Sequence, residues 1–241
     1  MHGVTAIFRK EWTGYFSTPV AYVFLAVFLT TSAAFTFYLS DFYGREQADL
    51  QSFFGWHPWL FLFFAPAVSM RMWAEERRSG TFETLRALPT PMWQFVLGKF
   101  LAAWAFIGVA LVLTMPIWLA VDYLGQPDNG VALSGYAGSF ILAGAYLAIG
   151  AFLSCLTSAQ VVAFVSSIFV SFLFTVAGYP MVLNFFKGWL PQQLVDVIGG
   201  MSFLMHYDRF VRGLVEAPAL IFFAAFIGAW LYLASYVLEE A

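Results

Sequence analysis

The chain is 241 residues long, 61% hydrophobic and only 10% charged, with a formal net charge of -3; ordinary soluble domains are about 45–50% apolar and about 25% charged. Residues 129–186 carry no charge at all, which excludes a soluble globular protein and reads as an integral membrane protein. The slightly acidic balance gives no electrostatic footprint for nucleic acid, and one cysteine, Cys155, allows neither an internal disulfide nor a cysteine-based metal site.

In chain order, the first element is amphipathic. Val4, Ile7, Phe8, Trp12, Tyr15 and Phe16 recur near helical spacing, with Arg9, Lys10 and Thr13 elsewhere on the wheel. The spacing predicts a short helix lying along the inner membrane interface before the chain turns at Pro19. Six apolar runs then approach the roughly 20 residues that cross a bilayer core. They are residues 20–40, 53–70, 100–121, 131–153, 161–186 and 218–238. The second is short and holds Pro58 and Pro66; the fifth is long and interrupted by Gly178 and Pro180. The first run exceeds the ~7–15 residues of a secretory signal's apolar region, so it reads as a retained anchor. The 29 phenylalanines are expected on lipid-facing surfaces and interfacial belts.

Orientation follows from the basic residues. With the N-terminus inside, Arg9, Lys10, Arg71, Arg77, Arg78, Arg86 and Lys99 fall on the inner side and Arg45, Lys187, Arg209 and Arg212 on the outer side. This asymmetry predicts that both termini are cytoplasmic.

Polar chemistry concentrates between the second and third runs, over residues 71–89. Ser79, Thr81 and Glu83 offer capping groups for a short helix that carries Phe82, Leu85 and Leu88 and ends at Pro89. Such a segment, with apolar anchors and mixed flanking charges, is suited to docking on a partner. The other inner loop, 154–160, is short and uncharged. On the outer side, residues 187–217 are too apolar for a free loop and read as two short helices dipping into the outer leaflet.

No ionisable group is expected well inside any run; His57 and Asp122 fall at run ends. That argues against an ion-coupled carrier, which needs buried titratable groups. His2, His57 and His206 lack metal-ligand spacing. No serine–histidine or histidine–glutamate arrangement suggests catalysis, and Cys155 reads as a packing residue. Gly98-Lys99-Phe100 lacks the neighbours of a phosphate-binding loop. The small residues Gly135, Gly138, Gly144 and Ala148 of the fourth run read as packing within the subunit rather than as a dimer seam. A membrane domain with a docking element and no energy source asks for a partner ATPase.

One segment goes further. Glu75-Glu76-Arg77-Arg78-Ser79-Gly80-Thr81-Phe82-Glu83-Thr84-Leu85, then Leu88-Pro89, then Gly98-Lys99-Phe100-Leu101 closely resembles the pattern of ABC-2 type transporter permeases. The lead Phe8-Arg9-Lys10-Glu11-Trp12 is similar to that family's start. Residues 150–163 and His206-Tyr207-Asp208-Arg209-Phe210-Val211-Arg212-Gly213 resemble its gliding-motility subgroup. The resemblance covers nearly the whole chain, and Phe82 and Arg86 stand where members often carry aliphatic residues.

The resemblance implies an all-α integral membrane protein. It would have six transmembrane helices, an N-terminal interfacial helix around Phe8, Arg9, Lys10, Glu11 and Trp12, a cytoplasmic coupling helix, and short re-entrant helices between spans five and six. It implies a single permease domain in a bacterial inner membrane, paired with a second permease copy and with two copies of an ABC ATPase subunit. An accessory periplasmic or membrane protein is a further expected partner. ATP and Mg2+ would be used by the ATPase, with no cofactor on this chain and no enzymatic activity of its own. Glu75, Glu76, Arg77, Arg78, Gly80, Thr81, Phe82, Glu83 and Leu85 would couple to the ATPase, with 154–160 as a minor contact. Two roles remain open. One is export of an amphipathic cargo (lipid-linked, peptide or polysaccharide); the other is mechanical drive of an extracytoplasmic partner through residues 187–217.

Overall fold

The computed structural model describes residues 2–40, 42, 49–125, 127–188 and 191–240, with the side chain of His2 excepted. Arg45, one of the basic residues assigned to the outer side, lies outside the described residues. All regular structure among the described residues is helical. The helices are α1 (His2–Ser17), α2 (Pro19–Ala34), α3 (Gln51–Ser69), α4 (Ala74–Ser79), α5 (Thr81–Arg86), α6 (Met92–Val112) and α7 (Met115–Leu124). They are followed by α8 (Asn129–Cys155), α9 (Gln160–Val176), α10 (Pro180–Lys187), α11 (Gln192–Gly200), α12 (Phe203–Val211) and α13 (Ala217–Glu240). A π-helical turn, Phe35–Leu39, continues α2.

Five helical stretches are long and apolar enough to cross a membrane: Pro19–Leu39, Gln51–Ser79, Met92–Leu124, Asn129–Cys155 and Ala217–Glu240. The pair α9 and α10 makes a sixth when counted as one span, bent by 80° at its break. The chain is therefore a multi-pass membrane protein. Glycine at 178 and proline at 180 explain the bend, since proline cannot continue an α-helix from the residue before it. Serine fills the corner: a Cβ on Gly178 would stand 2.6 Å from Ser202 Oγ.

Helix α8 is the central post. It is started by Asp128, whose Oδ1 accepts hydrogen bonds from the backbone N–H of Gly130 (2.8 Å) and Val131 (3.3 Å). It packs against α3, α6, α9, α12 and α13. Its small residues are what let those neighbours approach. A Cβ on Gly135 would stand 2.5 Å from the Phe54 ring, and one on Gly138 would collide with Phe210. Gly144 receives Trp104 and Ile227 in the same way. The small-residue stripe thus serves packing within the chain.

The aromatic residues build the core to a greater degree than lipid-facing composition suggested. Phe28, Phe53, Phe54, Phe61, Phe100, Phe106, Phe203, Phe210 and Phe223 are all fully buried. Many meet edge to face, as Phe203 does with Phe226 at 4.9 Å, the geometry that the ring quadrupole favours.

Two expectations about charge fail here. His57 does not sit at a span end: it lies inside α3, fully buried, against Phe28, Phe53, Phe54 and Phe61. His57 Nδ1 and Ser139 Oγ are 2.7 Å apart, and Ser139 Oγ lies 2.8 Å from the Tyr207 hydroxyl. Tyr207 in turn donates to the carbonyl of Phe54 at 3.0 Å. That carbonyl is the one whose helical partner would be the N–H of residue 58, and Pro58 has none. A polar chain therefore repairs the helix where proline breaks it. The second exception is Lys99. The third apolar run was counted from Phe100, whereas α6 begins at Met92 and carries Lys99 inside it, 6% exposed. A charge no longer marks the end of an apolar run once carboxylates neutralise it.

The chain's two ends meet at one end of the bundle. Arg86 Nη2, at the end of α5, donates to the carbonyl of Glu239 near the end of α13 (3.2 Å), and Lys99 pairs with Glu11 of α1 (3.3 Å). Helices α10, α11 and α12 occupy the opposite end, next to the start of α3. The two short helices expected over 187–217 are present as α11 and α12; α12 packs onto α8 through Phe203, Tyr207, Phe210 and Val211.

Candidate functional site

Helices α4 and α5 are set by glycine. Gly80 closes α4 and opens α5 in the left-handed region, at φ 75°, where a side chain is strained and glycine is not. The short helix expected to carry Phe82, Leu85 and Leu88 is α5, which follows α4 across the hinge at Gly80 and ends at Arg86, before Leu88. Ser79 does not cap: its hydroxyl lies 2.9 Å from Thr81 Oγ1 and donates to the Glu76 carbonyl. Leu88 falls outside the helix and is exposed.

The inner face of this hinge is held by one buried lysine. Lys99 Nζ donates to Glu76 Oε1 (2.6 Å) and to the carbonyl of Met72 (3.1 Å), and lies 3.3 Å from Glu11 Oε1. Three acceptors match the three protons of an ammonium group. The same Nζ lies 5.2 Å from the centre of the Trp73 ring, within cation–π range. One side chain on α6 thus fastens α1 and α4 together. Next to it, the Arg77 guanidinium sits over Phe82 at 4.9 Å, and Trp73 meets Phe82 edge on. Phe82 is buried and Leu85 half-buried, so both anchor α5 to the body.

The outer face forms a groove. Arg77, Gly80, Phe82, Glu83 and Arg86 line it from α4 and α5, and Leu156, Thr157 and Ser158 line it from the turn between α8 and α9. Its volume is about 500 Å3. The two inner loops singled out in the sequence, 71–89 and 154–160, are therefore two walls of one cleft. Arg78, Thr81 and Glu83 are exposed beside it. Glu75 and Glu76 lie on the other side and line a separate cavity toward α1.

Helix α1 packs along α6 by its apolar face. A Cβ on Gly98 would stand 2.8 Å from Ile7 Cγ2, so the glycine of the Gly98-Lys99 pair permits that contact. Phe8 and Trp12 stack at 6.0 Å and are half-buried, Arg9 and Lys10 are exposed, and Glu11 turns inward to Lys99. Burial, with the Glu11 carboxylate adding to it, raises the Tyr15 phenol above its ordinary range, so that ring packs neutral on Phe106.

Among the residues expected to form the site, Glu76 and Leu85 face the body, Arg77 and Phe82 pack on each other at the base of the groove, and Glu83 lines its wall. Lys99 belongs to the Gly98-Lys99 motif, but its central position does not follow from the sequence pattern. The signal is one cation inside the otherwise uncharged stretch 91–112, with two glutamates elsewhere to neutralise it.

None of the curated proteins compared with the chain matches it. A family model described as ABC-2 family transporter protein matches residues 5–217, which include most of α1, all of α4, α5 and α6, and the turn after α8. The chain belongs to the ABC-2 family of transporter proteins.

Proposed function

We propose that the chain is the permease subunit of an ABC-2 transporter and that the groove between α5 and the 156–158 turn seats the ATPase subunit. Two copies of the ATPase serve a pair of permeases; ATP and Mg2+ are bound by the ATPase, and this chain contributes no nucleotide chemistry. The observation that carries the reading is the groove itself. It joins two segments far apart in sequence, is walled by Arg77, Glu83 and Arg86, and has the Phe82 anchor at its base.

Coupling is mechanical. Closure of the ATPase pair moves α5 about Gly80, and α4 passes the displacement through Glu76 and Lys99 to α6 and α1. A body shift of this kind needs a bistable interface and no reaction inside the membrane. The partner end of the bundle is the cytoplasmic one, in a bacterial inner membrane, with both termini on that side. Arg86 beside Glu239 and Lys99 beside Glu11 support this, because chain ends meeting at one end require an even number of crossings. The carried substrate is amphipathic.

The test uses thiol labelling, since the native Cys155 is buried. Glu83→Cys and Ser158→Cys are expected to react with a polar maleimide in the free chain and to be shielded when the ATPase is bound. Labelling that the ATPase leaves unchanged overturns the groove as the seat.

A second reading is favoured by the opposite end of the bundle. Helix α10 has no buried residue, and Met181 and Phe185 are 86% and 67% exposed. On this reading the chain drives an extracytoplasmic protein, as the likeness of 206–213 to the gliding-motility subgroup suggests. ATPase turnover stimulated only by such a protein supports it; stimulation by an amphipathic cargo supports export.

A further inference from the structure

Beneath α1 lies a cavity of about 290 Å3 with two chemically distinct halves. One half is apolar, formed by Val20, Ala21 and Phe24 of α2 with Ala67 and Val68 of α3. The other half is ionic, formed by Glu11, Arg71, Glu75, Glu76 and Lys99. Lys99 is already committed to Glu11 and Glu76. Arg71 and Glu75, exposed and four residues apart, make no ion pair among the described residues. Glu76 Oε1 is taken by Lys99, and Oε2 is enclosed and accepts no hydrogen bond among the described residues.

We infer that this cavity binds a phospholipid with a primary-amine headgroup, phosphatidylethanolamine by class. The apolar half is open to an acyl chain at the level where α1 meets the spans. The ionic half carries three carboxylates against two cations, so a second anion is disfavoured and a zwitterion is matched: its phosphate to Arg71 and its ammonium to Glu75. Glu75, exposed at the cavity, offers carboxylate oxygens that take hydrogen-bond donors. A primary ammonium supplies donors, and the quaternary ammonium of choline does not. The bound lipid would join α1, α2, α3 and α4 at the junction that α4 uses to reach α6.

Thermal unfolding of the purified full chain in detergent tests this, with added lipids of identical acyl chains. Phosphatidylethanolamine is expected to raise Tm by about 5 °C near saturation, and phosphatidylcholine and phosphatidylglycerol by much less. The rise is expected to vanish in Glu75→Gln and in Arg71→Gln, neither of which touches the Lys99 cluster. It is also expected to vanish in Gly14→Phe, which keeps every charge but fills the cavity from α1, where a Cβ meets nothing within 4 Å. Three results overturn the proposal: equal stabilisation by the three lipids, a rise that survives in these variants, or an equal rise from chain-free glycerophosphoethanolamine.

Discussion

Lys99 and Glu76 are joined at 2.6 Å in a position that water barely reaches, their side chains 7% and 16% exposed. They come from different helices, and Glu11 of a third helix completes the cluster. Taking a charge out of water is costly, and losing one partner of a buried pair leaves that cost uncompensated. The cluster therefore ties α1, α4 and α6 together, as the coupling proposed for this end of the bundle requires.

Removal of the lysine is the sharpest probe of that cluster. Lys99→Met leaves Glu11 and Glu76 facing each other without a cation, and is expected to cost about 3–5 kcal/mol. Adding Glu76→Gln to Lys99→Met is expected to recover a large part of that loss, while Glu11→Gln alone, at the longer contact, costs less. Thermal unfolding of the purified variants measures all three. Equal stability of Lys99→Met and wild type contradicts the cluster.

The hinge makes a separate prediction. Gly80→Ala forces a Cβ into the left-handed region and is expected to cost about 1–2 kcal/mol, with Gly80→Asn closer to wild type because asparagine tolerates that region. Apart from its chain neighbours, no heavy atom of the described residues lies within 4 Å of a Cβ built there, so the loss is one of backbone conformation and not of packing. Stability of the two variants side by side separates the causes.

The repair of α3 predicts a non-additive pair. Tyr207→Phe deprives the Phe54 carbonyl of its donor and is expected to cost about 1–3 kcal/mol. In a Pro58→Ala background residue 58 has an N–H that can bond the Phe54 carbonyl within the helix, so the same tyrosine substitution is expected to cost markedly less. A double-mutant cycle in Tm gives the coupling; strict additivity contradicts the account.

Much of this fold is legible in composition and spacing. The apolar runs foreshadow the long helices, Gly178 and Pro180 foreshadow the break between α9 and α10, and the spacing of Val4, Ile7, Phe8, Trp12, Tyr15 and Phe16 matches the face that α1 lays on α6. What was not legible depends on partners distant in the chain. Lys99 looks like the boundary of an apolar run because its carboxylates lie on α1 and α4. His57 looks interfacial because Ser139 and Tyr207, which accommodate it, lie on α8 and α12. Gly80 reads as one glycine in a polar segment, and only its positive φ marks it as the hinge.

The glycines of the central helix behave differently from those outside it. Gly135→Val drives side-chain atoms into Phe54 and is expected to cost about 1–3 kcal/mol. Gly228→Ala on α13, where a Cβ meets nothing within 4 Å, is expected to be neutral or to gain about 0.5–1 kcal/mol from helix propensity. Thermal unfolding of both variants checks the contrast, and loss of stability in Gly228→Ala would place an unseen neighbour against α13.

The most direct measurement is co-purification of the chain with its ATPase, comparing wild type with Glu83→Lys/Arg86→Glu. Both substitutions reverse charges on the groove wall and leave Phe82, Gly80 and the Lys99 cluster in place. The expected result is that wild type retains the ATPase and the double variant loses it while its Tm stays within a few degrees of wild type. A correctly folded double variant that still holds the ATPase at the wild-type ratio, or a wild type that never holds it, contradicts the groove as the coupling seat.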